Sequence, residues 1–413
     1  MLKNYFKIAI AVLKRRKFFT FISLFGISFT LTILIVLTAF IDHLVSPSYP
    51  DYNRSRELFV DKIQFKSSKE SWFNQSPASY HFFKDYVAKL KTPFKLAVYT
   101  ATETTNAYQK NKKISIDLKY TNLEFWEVYQ FDFIEGKAYN KQQITNADKV
   151  AVISLDARDK YFGEGSKALG KYLEANNTKY KVIGVVKSAP YLDAYSFSDV
   201  YLPYTISNKD LTSHDLTGSF SCTILADSPS DIPAIKEEFN QMVEKLPRPD
   251  KVMDIVNSFA DSYAGGFIRS VAGGGVNSGA VKFYLFMGLF IFLFMLLPTI
   301  NLVNINISRI MERSSEIGVR KAFGASTKTL TFQFIVENMI LTFIGGILGL
   351  VFSMIVIYFI NASQIAPHLE LHINLTVLFF GLCACIVFGL FSGVYPAWRM
   401  SKLNVVTAIK SNN

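Results

Sequence analysis

The sequence predicts a membrane protein with four transmembrane α-helices and a large α+β extracytoplasmic domain between helices 1 and 2. Three observations predict it. Half of the 413 residues are hydrophobic, too large a share for an ordinary soluble chain of this length. The apolar residues gather in four runs, 18–41, 283–307, 332–360 and 371–398, each long enough to cross a hydrocarbon core of about 30 Å. The first two runs are separated by residues 42–282, where helical and strand periodicities alternate.

Residues 1–17 place Leu2, Phe6, Ala9 and Leu13 on one helical face and Lys3, Lys7 and Lys14 on another, which predicts a cytoplasmic amphipathic helix lying in the membrane interface. A frayed, solvated terminus is the alternative. Residues 18–41 carry no charge until Asp42. The run exceeds a signal-peptide core and no small-x-small cleavage site follows it, so it reads as a retained first span.

Within 42–282, Ser76 and Pro77 read as a helix start, followed by Phe83, Tyr86, Val87 and Leu90 at helical spacing. Ile114, Ile116, Leu118 and Tyr120 alternate as a half-buried strand. Val150–Ser154 reads as a strand and Asp156–Phe162 as a short helix stopped by Gly163. Asn176-Asn177 reads as a hairpin turn. Ile232, Ile235, Phe239, Met242 and Leu246 mark a longer helix. The glycine-rich stretch 264–280 reads as a flexible connector.

The second span, 283–307, contains Pro298, which predicts a kink. Residues 308–331 form a loop, 332–360 the third span with an uncharged core from Asn338 to Ile360, 361–370 a turn, 371–398 the fourth span, and 399–413 a tail. Orientation follows from basic residues. Lys3, Lys7, Lys14, Arg15, Arg16 and Lys17 precede the first span; Arg309, Arg313, Arg320, Lys321 and Lys328 separate the second and third; Arg399, Lys402 and Lys410 follow the fourth. The turn 361–370 has neither Lys nor Arg. Both termini are therefore expected in the cytoplasm, and 42–282 outside it.

The net charge of +11 sits largely in these flanks, the pattern of a topology signal and not of a nucleic-acid footprint. Cys222 stands alone, and Cys383 and Cys385 point to different sides of a helix, so neither a disulfide framework nor a metal site is expected. Residues 165–171, GSKALGK, have the spacing of a phosphate-binding loop, but Tyr172 follows where Ser or Thr would hold magnesium, and a hairpin follows where a helix is required. No HExxH, paired CxxC or GxSxG occurs. The chain is expected to be no enzyme.

Small and polar residues inside the spans read as packing elements. Gly345 with Gly349, beside Gly346, and Gly389 with Gly393 have the GxxxG spacing that lets helices approach closely, within one chain or across a dimer. Asn301, Asn304 and Ser308 share a face and suit interhelical hydrogen bonds better than an ion site. Glu337 is a candidate to pair with Arg313 or Arg320.

From Asn304 the sequence NINISRIMERSSEIGVRKAFGAS resembles the FtsX-like domain of MacB-type permeases, through Asn304, Ser308, Glu312, Arg313, Glu316, Ile317, Gly318, Arg320, Ala322, Gly324, Ala325 and Ser326. QFIVENMILTFIGGILGL resembles the start of that family's third helix, through Gln333, Glu337, Gly345, Gly346 and Gly349. YPAWRMSKLNVVTAIK resembles its tail, with Ser401 and Val405 departing from the expected Ala and Pro. FIEGKAYN, KVAVISLDARDKYFG, ALGKYL, YKVIGVV and DVYLPY resemble pieces of the MacB-like periplasmic core domain.

The resemblance implies the permease subunit of a MacB/FtsX-type ABC transporter in the cell inner (cytoplasmic) membrane. Fused members begin with an ATPase domain that this sequence lacks, which implies a separate ABC ATPase subunit binding the ATP and Mg²⁺, with no cofactor on this chain. It further implies a second permease chain in a homo- or heterodimer, and a periplasmic adaptor and outer-membrane channel as partners, for export or efflux by mechanotransmission. Ser315–Phe323 would be the coupling helix, and Glu312, Arg313, Glu316, Ile317, Gly318, Val319, Arg320, Lys321, Phe323 and Gly324 the ATPase-coupling residues. The residues suit that role: Glu316 and Arg320 are a helix-supporting pair four apart, Ile317 and Phe323 are apolar anchors, and Gly324 is a stop. Alternatives in the same architecture are a lipoprotein-releasing (Lol-type) permease and an FtsX-like regulator of cell-wall hydrolases; a transmembrane sensor is the alternative of another class.

Overall fold

The computed structural model describes residues 10, 11, 15, 17–69, 73–109, 112–248, 252–272, 279, 281–290, 292, 293, 296, 300, 303, 307, 319, 323, 326–363, 367–376, 378–381, 383, 386, 387 and 390. The predicted amphipathic helix, most of the second and fourth spans, and the tail 399–413 lie outside them. The chain divides into two compact units, one of residues 44–283 with 364–369, the other of 1–43, 284–363 and 370–413.

In the second of these units, α1 (Lys17–Val45) is apolar almost throughout. The other described helices relevant here are α7 (Tyr263–Ala272) in the outer unit, α8 (Val281–Phe290), and α9 (Thr327–Ala362). Two helical stretches are long and apolar enough to cross a membrane, Lys17–His43 and Ile335–Ala362. Ser326 caps α9 by accepting a hydrogen bond from the Thr329 amide at 3.2 Å, meeting one of the amides that a helix start leaves open.

The outer unit, 44–283 with 364–369, is built on β1 (Glu57–Val60), β4 (Phe94–Thr100), β5 (Glu103–Gln109), β6 (Lys112–Thr121), β7 (Phe133–Gly136), β8 (Val150–Ser154), β9 (Tyr172–Ala175), β10 (Thr178–Val186), β11 (Val200–Pro203) and β12 (Phe220–Ala226). These run in the order β1-β12-β4-β6-β11-β8-β10-β9-β5, with β7 on β10. Because β5 returns to pair with β6, six strands close on themselves and leave no free edge at that seam. A separate small sheet joins β2 (Ile63–Lys66), β3 (Phe73–Ser76) and β13 (Ile255–Ser258).

Alternation explains why β8 and β11 are buried on both faces. Ile114, Ile116, Leu118 and Tyr120 meet Ala151, Ile153, Val200 and Leu202 in one core, while Val150, Val152 and Tyr201 turn to an aromatic cluster with Tyr99, Phe125, Tyr129 and Tyr139. A third core joins Leu58, Phe82, Phe83, Ile224, Ile235 and Phe239. The predicted Val150–Ser154 strand is present, and so is its following helix, Leu155–Phe162, ended by Gly163 at φ +95°. Asn176 and Asn177 both take positive φ in the turn joining β9 to β10, as a two-residue hairpin of this type requires.

Two expectations need correction. The helix predicted from Ser76 begins later, at Tyr80, and spans Tyr80–Asp85. Ser76 ends β3, and the cap is Ser79, whose Oγ accepts from the Phe82 amide at 3.0 Å. Ala78 is meanwhile bridged to Phe220, so the backbone is extended until that bridge ends. The stretch 264–280 is also not all connector: its first part is α7, and its start is fastened by Ser262 Oγ accepting from the Gly265 amide at 3.2 Å. Residues 273–278 lie outside the described ones.

Candidate functional site: a glycine contact and a polar junction

α1 and α9 meet where α9 has no side chains to keep them apart. A Cβ on Gly345 would lie 2.8 Å from Ile27 Cβ, and one on Gly349 would lie 2.9 Å from Leu31 Cβ and 3.0 Å from the Ser28 carbonyl oxygen. Those separations are too short for any larger residue without moving a helix. Thr32 uses the approach: its hydroxyl donates to the Gly349 carbonyl at 3.1 Å and to the Ser28 carbonyl at 2.7 Å. Gly346 is buried as well. Gln333 donates to Glu337 at 3.1 Å, both side chains being buried.

Of the predicted coupling residues, Val319 and Phe323 are described. The Phe323 amide donates to the Val319 carbonyl at 3.0 Å, one helical turn, and the Phe323 side chain is 90% exposed. Glu312, Arg313, Glu316, Ile317, Gly318, Arg320, Lys321 and Gly324 lie outside the described residues. So do Asn301, Asn304, Gly389 and Gly393, and with Arg313 and Arg320 the proposed partners of Glu337.

A second constellation, absent from the sequence reading, sits inside the outer unit. Loop 187–199 gathers three stretches of chain: residues 46–59, which continue from α1; residues 259–269, which lead towards α8; and Pro367–His368, between the third and fourth predicted spans. Arg54 donates through Nη2 to Asp193 at 2.9 Å, through Nε to Asp51 at 2.7 Å and through Nη1 to the Ser46 carbonyl at 2.9 Å. Its guanidinium lies over the Tyr263 ring at 4.0 Å, a desolvated cation–π contact. Tyr195 stacks on Phe59 at 4.3 Å, meets Tyr263 edge-on at 5.5 Å, and donates its hydroxyl to Asp61 at 2.8 Å. The Tyr191 amide donates to the Pro367 carbonyl at 3.2 Å, and His368 Nε2 lies 2.6 Å from Asp156 Oδ2.

The loop is in turn fixed to the barrel. Ser198 Oγ and the Asp199 amide donate to the Asp117 carbonyl at 2.8 and 3.1 Å, and Lys119, fully buried on β6, donates through Nζ to the Ala194 and Tyr195 carbonyls at 2.9 and 2.6 Å. Burial opposes the charge on Arg54, but Asp193 and Asp51 outweigh it and hold the guanidinium protonated. Burial, then Asp51, pushes the Glu57 carboxyl up to about 10. Geometry agrees: Glu57 is 1% exposed, and among the described residues neither of its carboxyl oxygens, nor Asp51 Oδ1, has a hydrogen-bond donor. Three acids, Asp51, Glu57 and Asp193, face one Arg54, so Glu57 is held neutral. The sequence signal for this junction is slight, a single Asp51–Arg54 spacing, because its other members come from far along the chain.

No group of acids, histidines and cysteines suited to a metal occurs among the described residues. The chain is 26% identical over 293 residues to the pyoverdine export ATP-binding/permease protein PvdT of Pseudomonas fluorescens (strain Pf0-1), covering 70% of this chain and 41% of PvdT. It is 22% identical over 316 residues to the uncharacterized ABC transporter permease YknZ of Bacillus subtilis (strain 168), covering 76% and 75%. The solved extracellular domain of YknZ from Gram-positive bacteria aligns with a TM-score of 0.36 at 17% identity, covering 48% of this chain and 99% of that domain. The chain thus spans about two fifths of the length of its pyoverdine-export relatives. Residues 20–242, more than half the chain, match the MacB-like periplasmic core domain, and residues 288–405 match the FtsX-like permease C-terminal domain. The chain belongs to the MacB/FtsX-type family of ABC transporter permeases.

Proposed function

We propose that this chain is the permease subunit of an exporter that converts ATP-driven motion of a separate cytoplasmic ATPase into movement of its outer domain. Four spans cross the inner membrane with both termini in the cytoplasm; two such chains pair, and the ATPase carries the ATP and Mg²⁺. A periplasmic adaptor and outer-membrane channel complete the export path. Ser315–Phe323 docks on the ATPase, with exposed Phe323 as one apolar anchor.

The observation that supports this reading best is the convergence on loop 187–199. The stretches of chain continuous with the first, second, third and fourth spans all touch one loop: Arg54 donates to Asp193, Tyr263 meets the Tyr195 ring, and Pro367 accepts from the Tyr191 amide. A shift of any of them reaches the barrel through Ser198, Asp199 and Lys119, with no need for substrate to pass between the helices. Interiors packed this closely pass displacement on and do not absorb it.

Reconstitution with the cognate ATPase tests the reading. Gly318→Trp obstructs close approach, and Arg320→Glu replaces an attraction with a repulsion, at about 2 to 5 kcal/mol for a buried charge pair. Both variants should lose co-purification and permease-dependent stimulation of ATP hydrolysis while the outer unit stays folded. Normal assembly and stimulation in both would end the proposal.

A further inference from the structure

α7 turns an unusual face outward. Its sequence, YAGGFIRSVA, carries a single charge, Arg269, and that charge is turned in: its guanidinium lies over the Phe259 ring at 3.6 Å and donates through Nη2 to Asp261 at 3.0 Å. Ile268 beside it is buried. These contacts fix the rotation of the helix and leave Phe267 and Val271, one turn apart, 43% and 62% exposed, with Ser270 exposed beside them. The helix Ile232–Glu244 of the same unit is built for water instead, with Glu237, Asn240, Gln241 and Glu244 outward and Ile235, Phe239 and Val243 inward. None of the exposed residues of α7 is charged.

The tethers of α7 identify what lies against that face. Tyr263, its first residue, packs against the Arg54 guanidinium at 4.0 Å, and Arg54 Nη1 donates to the Ser46 carbonyl. Ser46 comes three residues after His43, where the first membrane-length apolar stretch ends, a chain length of roughly 10 Å. Eight residues beyond α7 the chain enters α8, itself apolar. Both ends of α7 are therefore held within a short reach of the places where the chain meets the membrane. Tyr52 and Tyr191 are exposed on the neighbouring tethers, one between Ser46 and Arg54, the other bonded through its amide to Pro367. Tyrosine is enriched where membrane meets water. We propose that α7 is a membrane-surface helix, resting on the leaflet on the outer unit's side with Phe267 and Val271 in the acyl-chain boundary and Tyr52 and Tyr191 among the headgroups. A helix in that position turns an apolar face to the lipid and a polar face away from it; here the polar face is satisfied by Asp261 within the protein. The contact depends on the family's membrane location and not on the export reading.

Fluorescence quenching in the full chain reads the contact directly. The chain, with its three native cysteines replaced, is reconstituted into lipid vesicles with a thiol-linked dye placed in turn at positions 267, 271 and, as a water-facing control, 241. Lipids brominated on their acyl chains should quench the dye at 267 and 271 several-fold more than at 241, and aqueous iodide should show the reverse order. The two positions are independent, so one remains decisive if the other variant fails to fold. Iodide quenching at 267 and 271 equal to that at 241 overturns the proposal. Shielding from both quenchers overturns it too, since that is the result for a face covered by a second copy of the chain; nanodiscs holding one chain each would then restore iodide access. For a lipid-covered face, the single-chain nanodiscs leave the bromine quenching unchanged.

Discussion

The contact between α1 and α9 and the junction in the outer unit solve the same problem, holding distant stretches of chain together, with opposite residues. Gly345 and Gly349 offer nothing but backbone, and Ile27, Leu31 and Thr32 come to rest on it. Loop 187–199 is held instead by long side chains that reach into the interior, Arg54 to the loop's Asp193 and Lys119 to its backbone carbonyls. Where no water competes, a close helix approach is enough for association, and a buried charge would be costly. In the outer unit the charges give fixed geometry, and they also make the junction sensitive to protons.

The largest expected loss comes from breaking the charged side. Arg54→Met leaves Asp51 and Asp193 buried without their cation, an expected cost of about 3 to 5 kcal/mol. The melting temperature of the full chain's outer unit in detergent should fall by roughly 10 °C or more; an unchanged melt would show that the cluster is not a support. Glu57→Gln should act in the opposite direction. The native Glu57 keeps its proton up to about 10, whereas the unfolded chain releases it near 4.5. Its contribution is therefore full below about pH 4.5 and lost progressively as pH rises towards 10. Glutamine keeps the neutral form, so the variant should melt higher than wild type at about pH 9, with the gap closing towards pH 5. Melting curves parallel at both pH values would contradict a neutral Glu57.

On the helix side, Gly349→Leu must drive α1 from α9, at about 1 to 3 kcal/mol. Thiol cross-linking between cysteines placed at Ile27 and Ile344 should become slower, and unchanged cross-linking would mean that the glycine face is not the contact. The smallest effect is local: Ser79→Ala removes a helix cap and should cost about 1 kcal/mol, read as a small drop in the same melt.

The two regions also differ in how far sequence alone reveals them. Uncharged runs and basic flanks mark spans because the membrane imposes one rule on every residue within it. The Gly345–Gly349 spacing is readable for the same reason, although its partner helix is not. β6 shows its core face through Ile114, Ile116, Leu118 and Tyr120, but Lys119 falls on the alternate positions, where a charged residue looks like a solvated one. Arg54, Lys119, Asp193, Tyr263 and Pro367 carry no common pattern, since only tertiary folding unites them. The choice of Ser79 over Ser76 was hidden likewise, because the bridge from Ala78 to Phe220 delays the helix.

The comparison matters most if the outer unit moves when ATP binds elsewhere. In the reconstituted complex of paired permeases and ATPase, spin labels at position 228, on the surface of the outer unit, report the distance between the two chains. ATP should shift that distance in the wild type, and Arg320→Glu should abolish the shift while the nucleotide-free distance stays the same. An outer unit whose label distance ignores ATP in the wild type would contradict mechanical transmission through this chain.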